Sequence, residues 1–143
     1  MALVCRPGPT VGFRIEADGK VFTYLPNHEP GLGVRGPLLK HGWTSGHYLA
    51  AGADLLIHDA QYDDIEYPSR VGWGHSTVRR ALELATLTDG RRLVTSHYDP
   101  SHYDPSHYDA RLVQTMADLR SLRPILPVVC GAESHVYDLA ALS

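Results

Sequence analysis

An α/β fold with a β-hairpin at its front is what this 143-residue sequence predicts, and three observations carry the expectation. Two segments of alternating hydrophobicity meet at Asp18-Gly19. The run Asp54-Leu-Leu-Ile-His58 is apolar throughout its middle. Beyond it, candidate strands and helices alternate. A strand, helix, strand, helix, strand order favours layered α/β packing.

The elements follow in chain order. A short apolar run, Ala2 to Cys5, leads into Arg6-Pro7-Gly8-Pro9. Val11 to Ala17 and Lys20 to Leu25 then alternate as half-buried strands do, and Asp-Gly between them is a strong short-range hairpin signal. Residues 26–46, rich in Pro, Gly and His, read as a long loop, and residues 46–53 suit a short helix. Asp54 to His58 has the continuous apolar character of a buried strand, with Asp59 at its C-terminal end. After a loop over 60–74, Ser76 is the expected N-cap of a helix reaching about Thr88. Val78, Ala81, Leu82, Ala85 and Leu87 supply its apolar side, and Asp89-Gly90 stops it. Arg92 to Thr95 is the next strand, then a helix over Ala110 to Leu122, a strand over Ile125 to Cys130, and a final strand over His135 to Leu139.

Composition narrows the functional classes. With 43% hydrophobic residues the chain can bury a core as one domain spanning 1–143. A net charge of -3 carries no electrostatic footprint for nucleic acid or an anionic membrane, so a nucleic-acid partner is expected to be unlikely. The pairs Arg79-Arg80 and Arg91-Arg92 read as parts of a solvated face. Cys5 and Cys130 lack any CxxC spacing, which argues against a disulfide framework or a zinc ribbon. No apolar run approaches the ~20 residues of a membrane span, and the expectation is a soluble cytoplasmic chain. Nine histidines are the compositional oddity. Several fall in a tandem repeat over 96–110, in which Ser-His-Tyr-Asp-Pro recurs with a period of five. That period suits neither helix nor strand and predicts a loop; a tandem slip in the gene would produce it without selection for function.

Several ordered motifs together carry a resemblance. They are Ala53-Asp-Leu-Leu-Ile-His-Asp-Ala-Gln-Tyr62, Glu66-Tyr67, Gly72-Trp-Gly-His-Ser76, Arg92-Leu-Val-Thr-Ser-His97 with Asp99-Pro100, and the hairpin ending in Tyr24-Leu-Pro-Asn-His-Glu-Pro30. In this order they resemble the metallo-β-lactamase superfamily, in the phosphodiesterase-like branch that includes ribonuclease Z, over its C-terminal half only. The resemblance implies half of an αββα sandwich, a mixed sheet with helices on one face, completed by homodimerisation. It also implies that metal ligands of the first half, in an HxHxDH motif, are missing here. Where the family has a further ligand histidine this chain has Arg6, and where it has a bridging aspartate the chain has Asn27. Asn is neutral and bridges metals poorly, an Arg repels a dication, and a catalytic zinc needs about three protein ligands. His97, at the last ligand position, is retained.

The same resemblance assigns candidate roles. His75 matches the family's proton donor to the leaving oxygen, and Asp59 matches its carboxylate partner; the bland alternative is a structural hydrogen bond. His97, Asp99, His102, Asp104, His107 and Asp109 form the densest run of potential ligands, suited to zinc, with manganese or iron as alternatives. Two copies facing each other would bring two such loops together and rebuild a metal site at a homodimer interface, which would also cover the exposed sheet. His28, beside Asn27, is a further candidate ligand. His58 reads as a satisfied core histidine, and His41, His47 and His135 as surface residues. Trp43 and Trp73 fit either a core edge or a substrate mouth. Two functions stand side by side: a homodimeric metal-dependent hydrolase of small phosphoesters, and a catalytically inactive half-domain that dimerises or docks onto another chain.

Overall fold

The hairpin anticipated from Asp18-Gly19 forms as expected: β2 (Thr10–Ala17) and β3 (Lys20–Leu25) pair antiparallel, with Phe13 opposite Tyr24 and Ile15 opposite Phe22. Asp18 at φ 50° and Gly19 at φ 72° both take the left-handed conformation that a two-residue type I′ turn requires. The computed structural model describes residues 1–4, 7–31, 44–98, 114–118, 121 and 126–141. The apolar N-terminal run adds β1 (Ala2–Val4), antiparallel to β2. β4 (Leu55–Asp59), β5 (Leu93–Ser96) and β6 (Val128–Cys130) then join in parallel, giving one mixed sheet in the order β1-β2-β3-β4-β5-β6.

Period-two alternation divides this sheet into two unlike faces. Val4, Leu25, Leu56, Leu93 and Val128 share a core with Leu49 and Ala50 of α1 (His47–Ala50), with Val78, Ala81, Leu82, Leu84 and Ala85 of α2 (Val78–Leu87), and with Met116 in a helical stretch over 114–118. Helices therefore cover one face. Gly12 lies on that side, where a Cβ would sit 2.4 Å from Leu25 Cδ2 and 2.7 Å from Leu49 Cδ1, so the missing side chain lets α1 approach β2. The opposite face is apolar and open along the hairpin: Leu3, Phe13, Ile15 and Tyr24 are all exposed there, Leu3 at 74% and Ile15 at 54%.

Local chemistry explains where α2 begins and ends. The cap is Thr77 and not Ser76: Thr77 is extended, and its side chain accepts from the Arg80 N–H at 3.2 Å. Ser76 is taken up elsewhere, its backbone N–H donating to Asp59 at 3.1 Å. At the other end Asp89 turns left-handed at φ 54°, and the Gly90 N–H closes on the Ala85 carbonyl at 2.8 Å.

Other expectations need correcting. No strand forms over His135–Leu139; those residues run without ladder bonds along a largely exposed tail. Arg80 is not on a solvated face: it is buried, bonded to Glu83 at 3.1 Å and set 5.7 Å from the Tyr67 ring centre. Leu84 is fully buried although the helical pattern read from sequence omitted it. Trp73 plugs no core edge; it is 55% exposed with the Arg70 guanidinium 4.4 Å above its ring. His135 is exposed as expected, whereas His47 is half-buried. The helix expected over Ala110–Leu122 and the strand over Ile125–Cys130 lie partly, and Trp43 and His41 wholly, outside the described residues. Among the described residues no helix is long and apolar enough to cross a membrane.

Candidate active site

Parallel pairing of β3, β4 and β5 brings the C-terminal ends of these strands to one sheet edge, the usual place for a site in a parallel sheet. In register, Leu25 pairs with His58 and Asp59 with Ser96. Pro26, Asp59 and His97 consequently lie side by side just past the ladder, and His75 arrives from the loop that precedes α2. Among the described residues Asp59, His75 and His97 form the one group with metal-ligating geometry, each offering an atom within 4.8 Å of the others.

Hydrogen bonds fix the orientation of both imidazoles. His75 Nδ1 lies 2.6 Å from Asp59 Oδ2 and His97 Nδ1 lies 3.2 Å from the same oxygen. His97 Nδ1 is also 3.1 Å from the Pro26 carbonyl, which can only accept, so this nitrogen carries the proton and Nε2 the lone pair. His75, bonded to an ionised carboxylate, takes the same tautomer. Burial pushes the Asp59 carboxyl up, but the bonds from His75, His97 and the Ser76 N–H more than offset it and hold Asp59 below the usual carboxylate range. Asp59 Oδ1 in turn accepts the Gln61 and Ser76 N–H groups, both at 3.1 Å. The carboxylate is thus an orienting group with four donors around it. His97 sits at φ 62°, a left-handed backbone that is uncommon outside glycine and turns its ring back toward Asp59.

Asp59, His75 and His97 are a candidate ligand group for a divalent metal ion. Two imidazoles whose Nδ1–H groups are tied to a carboxylate or carbonyl present Nε2 lone pairs, the arrangement by which ligand histidines are commonly oriented. His28 stands apart from this group. It is fully buried, and its Nδ1 lies 2.9 Å from His58 Nε2. His58, also fully buried, donates from Nδ1 to the Asp59 carbonyl at 2.6 Å, which is the satisfied core histidine expected from sequence. Burial, and then the neighbouring His58, push His28 well below the ordinary histidine range, and burial lowers His58 as well. Asn27 is half-buried, while Arg6, Asp99, His102, Asp104, His107 and Asp109 lie outside the described residues.

The family description Beta-lactamase superfamily domain matches residues 3–98, more than half of the chain. The chain belongs to the metallo-β-lactamase superfamily. Among curated members, it is 41% identical over 54 residues to the zinc phosphodiesterase ELAC protein 1 of Bos taurus, a match covering 38% of this chain and 15% of that protein. With ribonuclease Z of Mycobacterium bovis (strain BCG / Pasteur) it shares 33% identity over 99 residues, covering 65% of this chain and 31% of the relative. The solved human tRNase Z, short form, superposes with a TM-score of 0.62 at 23% identity over 96% of this chain and 41% of that one, a likeness of fold. This metallo-β-lactamase chain therefore spans less than half the length of these relatives. The expected fold class, a mixed sheet with helices on one face, stands.

Sequence reasoning did not give a role to the groups that hold the cluster in place. Glu29 falls within the Asn-His-Glu-Pro motif, yet no local pattern marks it as a fully buried carboxylate. Gly72 and Gly74, at φ 91° and 86°, are the visible signal, since paired glycines just ahead of a histidine point to a backbone folded around something.

Proposed function

We propose that this chain is a metal-dependent phosphoester hydrolase whose acid pair is His75 with Asp59 and whose metal is held by His97. The single observation carrying the reading is the Asp59–His75–His97 cluster, where one buried carboxylate orients two imidazoles at the edge of a parallel sheet. A bound zinc, manganese or iron ion would supply Lewis acidity toward a phosphoryl oxygen. Asp59 fixes the ring of His75 through Nδ1, so the Nε2 of that ring, when it carries a proton, is the nitrogen able to protonate a leaving oxygen. One ring nitrogen is too few for a catalytic ion. Asp99, His102 and His107 from the repeat loop complete the proposed set, with His28, whose Nδ1 is engaged by His58, as a further candidate through Nε2.

A second copy of the chain is the proposed partner. The open hairpin face presents Leu3, Phe13, Ile15 and Tyr24, and a partner of the same composition would bury them while bringing two repeat loops together. Names of the relatives, zinc phosphodiesterase and ribonuclease Z, support a phosphodiester substrate, RNA included, despite the net charge of -3. The rival reading, an inactive interaction module, is favoured by Asn27 at the position where the family has its bridging carboxylate.

Elemental analysis of protein purified without chelator, with hydrolysis of bis(p-nitrophenyl) phosphate, tests the proposal. Bound metal and turnover lost in His97→Ala, with the dimer retained by light scattering, are the expected results. A folded protein that takes up no zinc, manganese or iron on dialysis would leave the interaction module.

A further inference from the structure

Glu29 lies outside the reacting cluster, is fully buried, and is surrounded by donors. The Tyr67 hydroxyl donates to Oε1 at 2.9 Å, the Gly72 N–H reaches both oxygens at 2.9 and 3.1 Å, and the Gly74 N–H donates to Oε2 at 2.9 Å. Both glycines hold positive φ, so the backbone of 72–74 wraps this carboxylate with its N–H groups turned inward. The next residue is His75. Burial, and then the negative charge of Glu29, push the Tyr67 hydroxyl upward, which keeps it protonated as a donor.

Glu29 is itself held rigidly on both sides. His28 before it is bonded to His58, whose Nδ1 donates to the Asp59 carbonyl, and the Pro30 carbonyl after it accepts the Ser45 N–H at 2.9 Å. One short segment thus grips both partners of the acid pair: Asp59 through its backbone, and His75 through the loop ahead of it. We infer that Glu29 is a positioning residue, whose buried carboxylate sets the 72–74 backbone so that His75 Nδ1 meets Asp59. This deepens the reading of Asp59 and His75 as the acid pair and rests on it.

The test reads geometry and not turnover. In histidine-labelled protein, the His75 Nδ1 proton, assigned by its loss in His75→Gln, is followed by NMR for its exchange with water. Glu29→Gln puts an NH2 at one of the two oxygens, against either the Tyr67 hydroxyl and the Gly72 N–H or the Gly72 and Gly74 N–H groups, and should speed that exchange by roughly tenfold or remove the signal. Tyr67→Phe removes one donor alone and should speed it by roughly threefold. It decides the matter if Glu29→Gln does not fold. Asp54→Asn is the control: that carboxylate is likewise buried, bonded to the Val21 N–H and to Arg91 at 2.8 Å each, but it precedes the opposite end of β4. Its loss should destabilise the fold and leave His75 exchange unchanged. A folded Glu29→Gln with parental exchange overturns the inference, as does an unchanged Tyr67→Phe or an Asp54→Asn that loses the signal equally. Absence of hydrolysis in the parent protein would strike the proposed function and leave this readout intact.

Discussion

Asp59→Asn replaces one oxygen by an NH2 group and probes the whole cluster at nearly constant volume. An asparagine turned with its nitrogen at the Oδ1 position would face the Gln61 and Ser76 N–H groups, two backbone donors that cannot change protonation. Turned the other way, it faces His75 and His97 Nδ1. His75 can move its proton to Nε2 and accept from the amide. His97 cannot do so without aiming a lone pair at the Pro26 carbonyl 3.1 Å away. The cheaper rotamer therefore loses two charge-assisted bonds and regains one neutral bond. With about 1.5–3 kcal/mol for each bond to a charged group and about 1 for the one regained, the net loss is about 3 kcal/mol. For a chain of this size that is roughly 10 °C in Tm. Urea denaturation near neutral pH measures the loss directly, and histidine NMR shows whether the His75 proton has moved. Hydrolysis should fall by roughly 10²–10⁴ because the protonating nitrogen is no longer supported by a negative charge. A loss of stability under about 0.5 kcal/mol with an unmoved His75 proton would refute the claim that Asp59 organises the cluster.

Three further outcomes follow from the packing and the buried charges. Leu84→Ala empties a fully buried position facing the sheet and should cost about 2–5 kcal/mol in urea denaturation. Thr77→Ala should cost about 1 kcal/mol, while Ser76→Ala should be neutral or slightly stabilising, since the buried Ser76 hydroxyl finds no partner among the described residues; equal losses would contradict the cap assignment. Stability should decline on acidification in two stages. His28 and His58 are held below the ordinary value of 6.5, so the unfolded chain takes up protons first and stability falls as pH drops below about 6.5. Asp54, lowered chiefly by the Val21 N–H, and Asp59 extend the loss as pH falls below the unfolded carboxylate value of about 3.9 and through their lower folded values. A flat urea midpoint between about pH 7.5 and about pH 5.5 would contradict the histidine stage.

Much of this architecture was legible from periodicity and turn chemistry. Asp18-Gly19 fixed the hairpin because few other pairs tolerate two left-handed residues in succession. The run into Asp59 read as a buried strand because both sheet faces are covered at Leu55 and Leu56. The Asp59–His75 contact was expected from motif order, and its 2.6 Å separation requires only that the loop return to the strand end. What stayed hidden was non-local. Arg80 looked like half of a solvated pair, and its burial against Tyr67 depends on where the 60–74 loop folds. The ring of His28 lies against His58, a partner thirty residues away that no local pattern names. Glu29 is the strongest case, because charge and sequence position both suggest exposure and only the backbone N–H groups of a distant loop explain its burial.

The sheet is ordered as the gene is: every pair of neighbouring strands in it is consecutive in the chain. Such an arrangement can grow by accretion, each new strand finding its template already laid down, with little loop entropy spent on distant closures. Within this segment the hairpin can form before β4 carries Asp59 onto it, and α2 can cover the join before β5 exists. His97 follows β5, so the pair Asp59–His75 is assembled before the residue proposed to hold the metal. A nascent chain would therefore bring Asp59 and His75 together before His97 emerges, and the order in which the ribosome releases the segments becomes the order in which the proposed site is put together.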